Sequence, residues 1–192
     1  MSKKSLVSRP LDLLYFSFFA MHATATILMD LQVIYPPSLV PPFMKALTDF
    51  YISNYGDPLI GGVMGLLGRK EDFVWFHTFV MVEAFFQLPV FFIGMRGLWK
   101  DSRSIYVLLL VYATSATITA LPCVTVLLAT PFTSPETIAA NIVSITPAQR
   151  TMLLSSYIPF FLLPLLMVVD LSFRVLKLVN AGVAAERAAK QK

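Results

Sequence analysis

The sequence predicts an all-α integral membrane protein: a four-helix bundle with kinked helices and an internal cavity. Three observations carry this prediction. Of the 192 residues, 57% are hydrophobic and 14% charged, and the mean hydropathy is +0.72. Soluble domains carry about 25% charge, so this chain lacks the polar surface to stay in water. The apolar residues gather into four stretches, each long enough as a helix to cross ~30 Å of hydrocarbon. Prolines 89, 122, 159 and 164 fall inside three of those stretches. Each removes a helix hydrogen bond and favours a kink, and kinked helices leave space that straight ones fill.

The first span is expected at residues 11–34, the second at 73–98, the third at 104–130 and the fourth at 151–173. A short N-terminal segment (1–10), a four-span membrane domain (11–173) and a tail (174–192) follow as the divisions of the chain. The basic lead of Lys3, Lys4 and Arg9 resembles a signal peptide, but the apolar run after it is long and no small-residue cleavage site follows. It reads as a retained span. Orientation follows from Lys and Arg placement. Lys3, Lys4, Arg9, Arg96, Lys100, Arg103, Arg174, Lys177, Arg187, Lys190 and Lys192 fall on the side of the termini, and only Lys45, Arg69, Lys70 and Arg150 on the other. Both termini are therefore expected in the cytoplasm. The same distribution explains the net charge of +4 by topology, and nucleic acid is excluded as a partner.

Residues 35–72 are too long for a simple loop. Pro36-Pro37 and Pro41-Pro42 open the segment, and Phe43, Leu47, Phe50 and Tyr51 have the spacing of a short amphipathic helix across the lumenal face. Asp57-Pro58 ends that helix as a turn or cap, and Gly61, Gly62, Gly65 and Gly68 predict a flexible passage into the second span. The tail from Asn180 reads as a frayed helix. The single cysteine, Cys123, permits no intramolecular disulfide. No His, Cys, Asp and Glu cluster has metal spacing, and no cofactor is expected.

Polar residues inside the spans are the informative ones, because an ionisable group in hydrocarbon costs roughly 2.5–3.5 kcal/mol on insertion scales. Glu83 lies deep in the second span with Gln87 one helical turn later. His22, Thr26 and Asp30 form one stripe on the first span, Ser115 and Thr119 precede Pro122 on the third, and Ser155, Ser156 and Tyr157 precede Pro159 on the fourth. Such stripes face the bundle interior, since lipid cannot satisfy them. Asp30, Glu83, Thr119 and Tyr157 all fall in the lumenal half, which predicts a shared lumen-side ligand cavity. If Asp30 and Glu83 meet there, they form a coupled pair holding about one proton. That pair offers one acceptor and one donor, for a lipophilic cation, a sterol hydroxyl, or acid–base chemistry. The plainer alternatives are an Asp30 solvated at the headgroups, a Glu83 bonded to a neighbouring span's hydroxyl, and a His22 that is merely structural.

Four segments, residues 27–36 (ILMDLQVIYP), 57–60 (DPLI), 75–92 (WFHTFVMVEAFFQLPVFF) and 156–164 (SYIPFFLLP), resemble the sigma-2 receptor family of EXPERA-domain membrane proteins. The emopamil-binding sterol isomerase is a relative of that family. The resemblance implies a four-helix protein of the endoplasmic reticulum membrane that binds sterols, oxysterols and cationic amphiphiles. It also implies a homodimer, with sterol-transport membrane proteins as possible partners. By resemblance Asp30 matches the partner of a ligand amine, Glu83 the acid supporting it, and Asp57 a residue that acts through structure. Thr119, Tyr157, His22 and Gln87 match pocket positions. Two departures stand out: Phe160 replaces a tyrosine, which removes one hydroxyl, and Ser156 replaces an aliphatic residue.

Three functions compete. The leading one is a non-enzymatic sterol or oxysterol binder in intracellular sterol homeostasis or transport. The second is a sterol double-bond isomerase. Its relatives carry a His-x-x-x-Glu-Gly pattern where this chain has Thr26, Asp30 and Leu31, which weighs against it. The third is a quality-control or scaffold protein with a lipid-filled cavity.

Overall fold

Pro10 opens the first long helix, at a position where its missing N–H costs nothing and its fixed φ suits the turn. The computed structural model describes residues 5–191. Lys3, Lys4 and Lys192, which entered the charge asymmetry, lie outside the described residues. Helix α1 covers Pro10–Leu28 and then tightens into a 3₁₀ turn over Asp30–Val33. The first span therefore does not stay α-helical to residue 34. The prolines at 36 and 37 forbid its continuation, and the Gln32 side chain donates to the Leu28 carbonyl (2.6 Å) at the end of α1 and to the Met44 carbonyl (3.0 Å).

Helix α2 (Pro42–Tyr55) ends at Gly56, whose φ of 61° is the left-handed C-terminal conformation open to glycine. Helix α3 (Pro58–Val63) follows at once, capped by Asp57. This corrects the expected flexible passage: Gly61 and Gly62 are buried in α3. A Cβ on Gly61 would lie 2.6 Å from Leu67, and one on Gly62 would lie 2.3 Å from Phe73. These glycines are there for close approach.

The second span comprises α4 (Val74–Val82), a π-helical turn (Glu83–Gln87) and α5 (Leu88–Trp99). Helix α6 (Tyr106–Ala129) is the third span, with Pro122 inside it. A connection holding the five-residue helix α7 (Pro135–Ala139) leads to α8 (Pro147–Lys190), one helix of 44 residues. A reciprocal Thr146–Gln149 capping box starts α8. The tail is thus helical through Lys190 and not frayed from Asn180.

Among the described residues, four helices are long and apolar enough to cross a membrane: Pro10–Val33, Lys70–Trp99, Arg103–Ala129 and Pro147–Lys190. Span 3 packs chiefly along span 4, and span 1 along the α5 half of span 2, while spans 1 and 4 meet through long side chains more than through close backbones. The buried side chains form two clusters. One, toward the termini, contains Tyr15, Phe19, Phe91, Leu109, Tyr112 and Met167. The other, toward the far side, contains Leu59, Ile60, Leu127, Ile145 and Leu153.

A charged knot ties the spans together at the termini side. Asp12 is 2% exposed. It takes the guanidinium of Arg9, and that of Arg174 at 2.6 Å, and Arg174 also reaches Asp170 at 2.8 Å. Arg9 further donates to the Leu98 carbonyl, 2.6 Å, near the end of span 2. Asp170 accepts from the Tyr15 hydroxyl at 3.0 Å. The Asp170–Arg174 pair belongs to the ordinary i, i+4 kind. Asp12 is legible only as an acid at the start of a helix, and nothing in the sequence marks it as the centre of the knot.

Candidate functional site

The π turn at Glu83 follows from Pro89. With no N–H, Pro89 cannot bond the Phe85 carbonyl, and its ring crowds that carbonyl. The Leu88 amide instead bonds the carbonyl of Glu83, five residues back. Wide turns of this kind occur frequently at functional sites. Here the turn carries Glu83 and Gln87 onto the wall of a cavity of about 270 Å³.

All four spans contribute to that cavity, together with Tyr51 of α2 and Ile60 of α3. His22, Asp30, Glu83, Gln87, Thr119, Tyr157 and Phe160 line it, and so do Ser156 and Cys123. Asp57 does not. It is fully buried behind the wall, where one carboxylate oxygen accepts the hydroxyls of Tyr51 (2.7 Å) and Tyr157 (2.8 Å). The other oxygen accepts the amides of Leu59 (2.8 Å) and Ile60 (3.2 Å). Asp57 thereby fixes two cavity-lining tyrosines from outside the cavity. Burial pushes its acid above the usual carboxylate range, and the four donors pull it partly back. The Tyr51 hydroxyl is pushed up by burial and by the Asp57 charge beside it.

Span 1 supplies the partners of Glu83, which is bonded to a neighbouring span's hydroxyl. Its Oε1 accepts the Thr26 hydroxyl at 2.5 Å and lies 3.2 Å from Nε2 of His22. The polar stripe of span 1 does meet Glu83, but through its middle and inner members and not through Asp30. Phe18, Phe91 and Phe160 surround the His22 ring at centroid distances of 4.6 to 5.3 Å. Its Nδ1 is buried without a hydrogen-bond partner among the described residues. Thr119 bonds back to its own helix, at the carbonyls of Ser115 (3.1 Å) and Ala116 (3.2 Å), which leaves its oxygen free to accept.

Asp30 presents the opposite case. The protein surrounds it, yet it stays partly accessible because it opens on the cavity. The charges that act on it are those of Glu83 and Asp57, both acidic. Among the described residues no hydrogen-bond donor, lysine or arginine engages its carboxylate. The cavity thus holds one acid with donors and one without, framed by Phe76, Phe79, Val80, Ala116 and Phe160.

Fold and site define the class: a four-span helical membrane protein whose intramembrane cavity sets two acids and several neutral polar groups among apolar walls. Residues 43–171 match the model of the EXPERA (expanded EBP) superfamily, and the chain belongs to that family. The chain is 28% identical over 170 residues to sigma intracellular receptor 2 of Xenopus tropicalis, covering 88% of this chain and 92% of the relative. To the Homo sapiens sigma intracellular receptor 2 it is 27% identical over 161 residues, 79% of this chain and 81% of the relative. It is also 26% identical over 174 residues to efficient mitochondria targeting-associated protein 19 of Schizosaccharomyces pombe, 90% of this chain and 80% of the relative. The family match leaves out span 1, which supplies His22, Thr26 and Asp30, while the receptor relatives cover most of the chain.

Proposed function

We propose that this chain is a non-enzymatic binder of sterols, oxysterols and lipophilic amines, working in sterol homeostasis or transport. The observation that carries the proposal is the Asp30 carboxylate, which faces the cavity with no donor of its own. A ligand ammonium would give it both charge and hydrogen bond, and a sterol hydroxyl would give it the hydrogen bond alone. Thr119 and Tyr157 supply further oxygens on the cavity wall, and the phenyl and aliphatic walls suit fused rings. The cavity volume falls just below the ~300–1,000 Å³ of sites that enclose a drug-sized ligand, which fits a polar head and its adjoining rings. The endoplasmic reticulum membrane, cytoplasmic termini and a homodimeric state belong to the same proposal. The Lys and Arg asymmetry supports the cytoplasmic termini, and the endoplasmic reticulum and the homodimer rest on the family resemblance.

The test is Asp30→Asn, which keeps the shape and removes the charge. Binding of a lipophilic amine is expected to fall beyond detection while the protein melts as before; unchanged affinity would remove Asp30 as the counter-ion. Lipids that co-purify supply a second measurement. A specific sterol, seen by mass spectrometry and lost in Glu83→Ala, supports the sterol reading. Bulk phospholipid alone supports a scaffold.

One observation favours an enzymatic reading as well. His22 and Glu83 stand in contact on the cavity wall, as an acid–base couple for moving a sterol double bond would. Incubating the purified protein with a Δ8-sterol and looking for the Δ7 product decides between binder and isomerase.

A further inference from the structure

Helix α2 is pinned at both ends to span ends on the far side of the molecule. Near its start, the Met44 carbonyl accepts the Gln32 side chain from the last turn of span 1. At its end, the Asn54 carbonyl accepts the Gln149 side chain, 3.2 Å away, from the first turn of span 4. The intervening residues cover about 15 Å of helix. A helix tethered to two span ends on one side runs along the membrane face, not along the bundle axis. It bridges spans 1 and 4 on this side, far from the ion pair and hydrogen bond that join them near the termini, and Tyr51 on its inner face lines the cavity.

The helix has three faces, not two. Met44, Thr48, Tyr51 and Tyr55 recur at i, i+4, i+7 and i+11 and turn toward the bundle, Met44 being 6% and Thr48 2% exposed. Lys45, Asp49 and Ser53 form a polar, exposed row. Phe43, Leu47 and Phe50 form a third row that is apolar and exposed, at 63%, 37% and 61%. Leu39, on the turn before, is 72% exposed. The Phe43 row is therefore not the face that docks on the bundle, although its spacing is what makes the helix look amphipathic in the sequence.

We infer that α2 is a lipid-seated roof. Its Phe43, Leu47 and Phe50 edge lies among the acyl chains of the adjoining leaflet, its Lys45, Asp49 and Ser53 edge lies in water, and its third face closes the cavity from the aqueous side. A helix with an apolar and a polar edge side by side, held at the level of span ends, has the geometry of an interfacial helix. Two phenylalanines and a leucine also fall short of the ~800 Å² per partner that a stable protein interface buries, so the bilayer is the occupant that fits.

The test places a nitroxide at each of these positions, one cysteine at a time on a Cys123→Ala background, in phosphatidylcholine nanodiscs. Oxygen, which concentrates in lipid, should relax labels at 43, 47 and 50 more than a water-soluble nickel chelate does. The order should reverse at 45, 49 and 53. Equal nickel access at 43 and 45 would put the edge in water and overturn the inference. Exclusion of both agents at 43 and 50 would mean that protein covers it, and would overturn it equally. Phe50→Trp, with Trp75→Phe and Trp99→Phe, gives a label-free check. Its fluorescence should be quenched by lipids brominated in the upper acyl chain, and the absence of quenching counts against the roof. Neither readout involves a ligand, so the outcome is independent of whether Asp30 binds amines.

Discussion

Thr26 and His22 set the difference between the two cavity acids. Glu83 has a hydroxyl at 2.5 Å and an imidazole nitrogen at 3.2 Å, so its desolvation is partly offset within the chain. Asp30 depends on what enters. Thr26→Val removes one donor at almost constant volume and should cost about 1–3 kcal/mol, read as a lower Tm in detergent. An unchanged Tm would show that the hydroxyl contributes nothing. Asp57 makes a separate prediction through pH. An acid raised by burial holds its proton more tightly folded than unfolded. The stability it adds is complete below the unfolded value of about 3.9 and is lost as pH rises through the folded value. Asp57→Asn cannot ionise and escapes that loss, so its Tm relative to wild type should rise as pH climbs above about 4; a pH-independent difference would show that Asp57 binds its proton equally in both states. At this scale the sequence was informative about which residues are polar within the spans. The stripe of His22, Thr26 and Asp30 is visible by spacing alone. Which member meets Glu83 is not, because depth along a span carries an error of about a turn and contact depends on less.

The turn at Glu83 shows the same limit one level up. Pro89 announces a kink, but whether the helix bends or widens by one residue is a choice of backbone register, and side-chain periodicity over five residues does not report it. Glycines are a second case. Gly61 and Gly62 read as flexibility from composition, whereas the packing makes them contact points. A Cβ on Gly94 would likewise lie 2.8 Å from Phe19 and 3.0 Å from Leu109, while Gly182 on the α8 tail has nothing within 4 Å. Gly94→Ala should therefore destabilise by about 1–3 kcal/mol through overpacking between spans 1, 2 and 3. Gly182→Ala should be neutral or stabilise the helix by up to about 1 kcal/mol. Thermal melts of the two variants in one detergent separate these outcomes, and equal shifts would mean that the close approach at Gly94 relaxes without cost. The four spans themselves were legible because length and hydropathy are summed over twenty residues, where single errors cancel. The tail was legible as a helix but not its persistence to Lys190: beyond the membrane its Ala-rich sequence has no buried face to mark its end.

Across the whole molecule the charges divide the bundle into two ends with different tasks. Toward the termini, Asp12 gathers Arg9 and Arg174 into a knot that joins spans 1 and 4 and, through the Leu98 carbonyl, span 2. Toward the far side, neither cavity acid, Asp30 nor Glu83, has a lysine or arginine partner among the described residues, and His22 alone stands by Glu83. Asp12 and Asp30 are eighteen residues apart on the same span, about 27 Å along a helix. Breaking a buried ion pair by removing one partner costs about 3–5 kcal/mol. Here Arg174 keeps Asp170 and Arg9 keeps Asp101 at 3.4 Å, so Asp12→Asn should fall at the lower end of that range. Lys190→Ala, which breaks the exposed pair with Glu186, should cost less than about 1 kcal/mol. The knot contributes nothing to the cavity wall. If the two ends are independent, Asp12→Asn lowers Tm yet binds a lipophilic amine with wild-type affinity well below its melting temperature. An affinity that fell along with Tm would show instead that the closed end sets the spacing of spans 1 and 4 at the open one, and that the bundle transmits strain along its length.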